Sequence, residues 1–363
     1  MQPRRPRSRD VAALAGVSTT TVSFVLNDRV EARISPATRK RVLDAAAQLG
    51  YSPHAAARGL AGGRSHTVGL VLRQSPEQVA EDALLPEILR GITSAARAGG
   101  FRVLVEPSGI RNGDYGDLIR SNRADGLIIS GPRTDDAVLR SLAAQGAPII
   151  LQGALEEASA PSVDVDNVAA AREAVEHLLG LGHRRIACVT NAPLSYTAAR
   201  ERLDGYRLAL RTAGIELDDR LVAEADYSAA SGRSAMARLL EADGLTAVFV
   251  ASDVVALGAM AAIREAGRRI PDDISVVGFD DIPLAAYFDP PLTTVRLPAH
   301  DLGRAVGAAL LDRIAGRPVQ ARTVLPTELV IRSSTAPPAG SASGRSRESS
   351  GAGSNGKGSN GDG

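Results

Sequence analysis

The stretch Ser8 to Asn27 reads SRDVAALAGVSTTTVSFVLN. Val11, Leu14 and Ala15 recur at helical spacing and are expected to face a core. Gly16 interrupts the run, and glycine tolerates the backbone of a tight turn best. Ser18 suits an N-cap, because its hydroxyl accepts a bond from an otherwise unpaired backbone N–H. A second short helix is expected from Thr19 to about Asn27. Val22, Val25 and Leu26 give it one buried stripe. Thr19, Thr20, Ser23 and Phe24 take the opposite face, since residues three and four apart are neighbours on a helix. Two short helices joined this way form a helix-turn-helix, whose second helix lies in the DNA major groove.

Working outward, the loop DRVEARIS leads to a third helix from Pro36 to about Leu49. Ser35 caps it and Pro36 suits its first turn. Val42, Ala45, Ala46 and Leu49 mark its buried face, and Gly50 ends it. Arg39, Lys40 and Arg41 are either a solvated face or phosphate contacts. Ser52 to Leu60, SPHAAARGL, carries a further helix-start signature, Ser at the cap and Pro at the first turn. It spans about two turns, too short to be stable alone in water, and Gly59 weakens it further. It therefore needs a partner. Residues 1–7 are rich in Arg and Pro and read as a disordered basic arm that attracts phosphate.

The runs DVAALAGVSTTTVSFVLN and ISPATRKRVLDAAAQLGYSPHAAARGLAG closely resemble the N-terminus of the LacI/GalR family of bacterial transcription regulators. ASDVVALGAM, ISVVGFDDIPLAAYFDPPLTTVRLP and LPTELVIRSST look like that family's effector domain, in the family's order. The likeness covers Ser8 to about Pro337. It implies that Thr19 and Thr20 read base edges, and that Ser23 and Asn27 contact phosphate. Phe24 stands where several relatives carry a polar or basic reader. It can touch a thymine methyl but cannot hydrogen-bond a base, so either the operator offers such a methyl or Phe24 reads nothing. The segment after Ser52 matches a hinge helix that forms beside its dimer mate on DNA. Leu60 matches the leucine that wedges into the minor groove and kinks the duplex. Ala57 matches a position packed close to that groove. The DRVEARIS loop is about two residues longer than in the best-known members.

Charge distribution agrees with a polyanion bound at one end. Residues 1–66 hold eleven of the 42 Lys and Arg but four of the 41 Asp and Glu, so the head carries +7 and the remainder −6 of a net +1. At 363 residues, 44% of them hydrophobic, the prior is two or three globular domains. No apolar run reaches membrane-spanning length, and MQPRRPRSRD lacks the apolar core of a secretory signal. A cytoplasmic bacterial protein at the nucleoid is expected, with no membrane partner. The one cysteine, Cys188, lies in the apolar run IACVT and reads as a buried structural thiol.

From Thr67 the pattern changes. Apolar strand-like runs at 68–72, 101–105, 126–130, 148–151, 185–190, 247–252 and 274–281 alternate with candidate helices at 86–98, 167–181, 197–213, 228–241 and 253–266. Such alternation means parallel sheets covered on both faces. The run is too long for one sheet and fits two doubly wound α/β subdomains with ligand beyond the strand ends. The family likeness makes this a periplasmic-binding-protein-like effector domain. It places crossovers near 162–166, 291–296 and 320–323 and assigns the helix near 299–315 to the first subdomain. The expected organisation is thus 1–7 basic arm, 8–51 helix-turn-helix domain, 52–66 hinge helix and linker, 67–337 effector and dimerisation domain, and 338–363 disordered Gly/Ser-rich tail.

The resemblance also implies effector contacts. Arg202 matches an arginine that binds sugar hydroxyls. Tyr227 matches an aromatic packed on the ligand's apolar face. Ser252 matches a polar contact that is often Asn, and equally suits the cap of the next helix, as does Asp253. Asp280 matches an acidic acceptor. Leu84 and Leu85 match loosely as cleft lining. The acidic contact that several relatives place near Gln152 and Gly153 is missing, and Ala170 or Ala171 stands where many have Gly. The five histidines show no metal spacing. G-x-S-x-G is absent, and the tail's GAGSNGKG lacks the Ser/Thr of a phosphate loop. Neither enzyme nor cofactor is expected. The reading is a repressor of carbohydrate-metabolism genes that binds a palindromic operator as a homodimer, with tetramers left open, under control of a sugar or phosphosugar. Its rivals are a transport-type sugar-binding protein and a regulator answering a non-sugar ligand such as a nucleobase.

Overall fold

The computed structural model describes residues 6–26, 32–51, 64–108, 115–155 and 158–339. The head forms helices Ser8–Ala15, Thr19–Leu26 and Pro36–Gln48. Gly16 takes a left-handed conformation, φ 64° and ψ 43°, that frees the chain to turn. Ser18 Oγ accepts from Thr21 N–H at 3.1 Å, and Ser35 Oγ accepts from Thr38 N–H at 3.2 Å with Pro36 in the first turn. Val11, Ala12, Ala15, Val22, Val25, Val42, Ala45 and Ala46 form the core. Leu26 and Leu49 pack at its margin. Leu14 departs from expectation and is 49% exposed. The first helix buries positions 11, 12 and 15, and Leu14 projects about 100° away from the centre of that face.

Contacts divide the chain into two units, the first of which includes the head. One holds Met1–Asp166, Leu194–Arg200 and Leu297–Thr327; the other holds Asn167–Pro193, Glu201–Arg296 and Glu328–Gly363. The strands in chain order are β1 Thr67–Leu72, β2 Arg102–Pro107, β3 Gly126–Ser130, β4 Ile149–Gln152, β5 Ser162–Val165, β6 Ile186–Val189, β7 Val222–Ala223, β8 Ala247–Val250, β9 Ser275–Asp280, β10 Thr293–Arg296, β11 Arg322–Leu325 and β12 Glu328–Val330. The first unit's sheet runs β2-β1-β3-β4-β5-β11 and is parallel throughout. The second runs β7-β6-β8-β9-β10-β12, with β12 alone antiparallel. Strand order reverses beside β1 in one sheet and beside β6 in the other, the places where doubly wound folds bind ligands.

The first two crossings, after Asp166 and Arg296, adjoin the expected positions. The third is corrected from 320–323 to after Thr327, because β11 first pairs with β5. Leu194–Arg200 also groups with the first unit. There Thr134 N–H donates to Ser195 O at 2.9 Å and Thr197 N–H to Pro132 O at 3.2 Å. The expected helices appear as Leu85–Ala98, Asn167–Gly180, Thr197–Thr212, Ala229–Leu239 and Asp253–Glu265, and Ala299–Ile314 lies in the first unit. Short helices Pro76–Glu81, Asp117–Arg120 and Ala137–Ala144 were not anticipated.

Each unit contains a helix pair in near-backbone contact. A Cβ on Gly303 of Ala299–Ile314 would sit 2.1 Å from Ile88 O of Leu85–Ala98. In the second unit, a Cβ on Gly258 would sit 1.7 Å from Ala229 O. Gly258→Ala must push the two helices apart and is expected to cost about 1–3 kcal/mol. Denaturant unfolding checks this, and a variant as stable as the parent would mean that the crossing yields freely.

Candidate functional site

On the head, Thr19, Thr20 and Phe24 are exposed and Ser23 is half-buried, with Phe24 at 39% exposure. Lys40 and Arg41 are exposed and Arg39 is half-buried. Asn27, Ala57 and Leu60 lie outside the described residues.

In the second unit, Arg202 and Asp280 lie together. Arg202 sits in the second turn of Thr197–Thr212 and is 7% exposed, Asp280 8%. The Arg202 Nε donates to Asn167 Oδ1 at 3.0 Å, and Nη1 donates to Ala251 O at 2.7 Å and Asp280 Oδ1 at 3.4 Å. Its guanidinium stacks on Phe279, 3.8 Å from the ring centroid, a cation–π contact. Asn167 is fixed in turn, because its Nδ2 donates to Glu201 Oε2 at 2.9 Å. The guanidinium thus presents a planar set of donors, held in place beside the Asp280 carboxylate.

Asp280 and Asp281 both have positive φ, 121° and 53°. Asp253 holds this turn. Its Oδ2 accepts from Ile282 N–H at 3.0 Å and its Oδ1 from Thr294 Oγ1 at 2.6 Å. A Cβ at residue 278 would meet Asp253 Oδ1 at 2.2 Å, so only Gly278 fits there. Asp253 therefore does not cap its helix, which corrects one sequence alternative. Ser252 occupies the cap position but makes no side-chain cap bond. Tyr227 is half-buried with φ 73°, and its N–H donates to Asn191 O at 2.7 Å.

Burial first, and the Asp280 carboxylate second, push the Asp253 pKa well above 3.8. A raised native pKa gives stability that is complete below the unfolded value and lost as pH climbs through the native one. Asp253→Asn titrates nothing. Measured by thermal unfolding, it should gain on wild type as pH rises from about 4 towards neutrality. A difference that stays constant with pH would show that Asp253 ionises freely.

A model for bacterial regulatory proteins of the lacI family matches residues 9–54, and one for a periplasmic binding protein-like domain matches 175–335. The HTH-type transcriptional regulator CelR of Thermobifida fusca is 38% identical over 338 residues, 91% of this chain and 98% of that protein. The chain belongs to the lacI family of bacterial regulatory proteins. The structure of a CelR–cellobiose complex matches with TM-score 0.70 and 36% identity, covering 91% of this chain and all of the other. The lac repressor dimer bound to operator and the anti-inducer ONPF matches with TM-score 0.79 and 34% identity, covering 92% of this chain and 100% of that one.

In this lacI-family chain the first unit presents further polar groups at its strand ends. Arg73 follows β1, lies 2.8 Å from Asp136, and donates from Nη1 to Ser108 O at 2.6 Å. The Tyr196 hydroxyl donates to Arg73 O. Arg133 stacks on Tyr196 and forms a forked pair with Asp135, leaving Nη1 buried with no partner among the described residues. Gln152 Oε1, at the end of β4, is likewise buried without a partner among the described residues. Leu84 and Leu85 begin Leu85–Ala98 and pack on that unit's core. In the second unit Asn191 Oδ1 is a further orphan, absent from the sequence-derived set. Its signal was available: a polar residue directly after a strand at the switch point. Cys188 is buried in β6, with its thiol pushed up to about 12 by burial, as a structural cysteine should be.

Proposed function

We propose that this chain is a ligand-responsive repressor of carbohydrate genes that binds a palindromic operator as a homodimer and is controlled by a sugar. The observation that carries the reading is the Arg202–Asp280 pair. It offers fixed donors and a carboxylate acceptor at the carboxyl edge of the second unit's sheet, on a chain whose head presents a helix-turn-helix. Vicinal sugar hydroxyls accept from the guanidinium and donate to the carboxylate. The cellobiose complex of a similar regulator supports a saccharide. Thr19 and Thr20 read bases, Ser23 and Asn27 hold phosphate, and Leu60 with Ala57 engages the minor groove at the operator centre.

Self-association is supported by exposed apolar side chains on the second unit. Leu257 lies on Asp253–Glu265, and Leu284 and Tyr287 lie on the turn Pro283–Tyr287. The Asp253–Ile282 bond joins the starts of these segments. Two heads on a two-fold axis then meet two half-sites. Fluorescence anisotropy on the protein's own upstream DNA tests the reading. Specific binding should exceed binding to scrambled DNA by at least about 10³-fold at physiological salt, and removal of one half-site should abolish the excess. Equal affinity for both DNAs would refute it.

A further inference from the structure

We propose that Asn191 is a specificity-determining residue of the effector site, and that the effector is an uncharged polyol whose hydroxyls pair with the Asn191 amide. The proposal rests on the reading of Arg202 and Asp280 as effector contacts and adds both a residue and a ligand class to it.

Position comes first. Asn191 follows β6, beside β8, where the strand order of the second sheet reverses. Its backbone is fixed. Thr190 Oγ1 donates to Ala192 O at 2.8 Å and accepts from Ala225 N–H at 3.4 Å. Asn191 O accepts from Tyr227 N–H at 2.7 Å. One turn therefore sets both the Asn191 side chain and the aromatic residue implied to pack on the ligand.

The Asn191 carbonyl oxygen adds no hydrogen bond to the fold among the described residues. Asn191 is 4% exposed, and its Oδ1 has no partner among the described residues. Buried polar groups in native proteins are almost always paired, and an orphan calls for an explanation such as a ligand or water. An alanine or leucine here would relieve the burial penalty, so the amide is costly to the ligand-free protein. Rotation about its last bond brings either the carbonyl or the NH2 to an incoming group.

Charge selects the ligand class. Arg202 already faces Asp280. Asp281 is held by Arg296 Nε at 2.7 Å and Arg332 Nη2 at 2.6 Å. Burial, and then the Asp280 carboxylate, push the pKa of Asp253 beneath the turn well above 3.8. Arg202, Arg296 and Arg332 each already face a carboxylate, and a phosphate would bring its charge against Asp280. In the first unit, taken separately, Arg73 and Arg133 already have Asp136 and Asp135. Its orphan Gln152 Oε1 is again a carbonyl that needs a donor. Hydroxyl groups donate and accept, and so suit such groups without adding charge.

Isothermal titration calorimetry of the full-length chain tests this. The probes are glucose, ribose and cellobiose, set against glucose 6-phosphate and ribose 5-phosphate. An uncharged probe should bind at least tenfold more tightly than any phosphorylated one. Asn191→Ala and Asn191→Leu should each weaken that binding at least tenfold without lowering the unfolding temperature, a combination that a merely structural asparagine would not give. Tighter binding of a phosphorylated probe, or no binding of any uncharged one, overturns the ligand class. Wild-type affinity in both Asn191 variants overturns the residue. If Arg202→Ala then loses binding, the underlying site stands and this inference alone fails; if Arg202→Ala also binds normally, the site reading fails with it.

Discussion

Arg202→Ala is expected to abolish the response to effector while the head still binds operator. The substitution removes the guanidinium offered to the ligand and the bonds that hold Asn167 Oδ1, Ala251 O and Asp280 in place. A hydrogen bond to a charged group contributes about 1.5–3 kcal/mol. Loss of two such bonds to a ligand corresponds to about 100-fold or more in affinity, at 1.4 kcal/mol per tenfold. The same change takes away the Arg202 partner of the buried Asp280, which destabilises the unit itself. Arg202→Lys separates the two effects. It keeps the charge and loses the planar fork, so it should fold like wild type and still bind sugar poorly. Effector titrations of both variants, with operator affinity measured in parallel, decide the matter. A normal response in Arg202→Ala would remove this residue from the site.

Val42→Asp is expected to erase operator binding and spare effector binding. Val42 is fully buried in a head core built largely of valines and alanines. A core this small has little stability to lose, and an isolated carboxylate among apolar side chains costs several kcal/mol or unfolds its surroundings. The specific excess, at least about 10³-fold over nonspecific DNA, should vanish. The effector unit has its own sheet and helices and should titrate with sugar as before. Retention of tight operator binding would mean that the helix-turn-helix is not what holds the DNA.

The head was legible because its signals are local. Gly16, Ser18, Ser35 and Pro36 specify turn and caps by their own chemistry, whatever the rest of the chain does. Leu14 was misread because helical spacing alone admits more than one buried face. The alternation of apolar runs and helices gave two doubly wound sheets, since burial on both faces marks parallel strands. The third crossover was set too early because β11 is a four-residue strand whose burial alternates, and only its pairing with β5 assigns it to a unit. At the site, Arg202 and Asp280 were reachable through motifs. Their partners were not, because Ala251 contributes a carbonyl and Asp253 binds groups 29 and 41 residues away. No local pattern encodes such bonds.

The central claim is that one chain couples a sugar to an operator. Fluorescence anisotropy of the full-length protein on its upstream DNA, titrated with uncharged sugars at fixed salt, tests it most directly. The account predicts that a sugar bound by the protein shifts operator affinity at least about tenfold, a coupling of about 1.4 kcal/mol or more. A sugar that calorimetry shows to bind, yet leaves operator affinity unchanged, would contradict it.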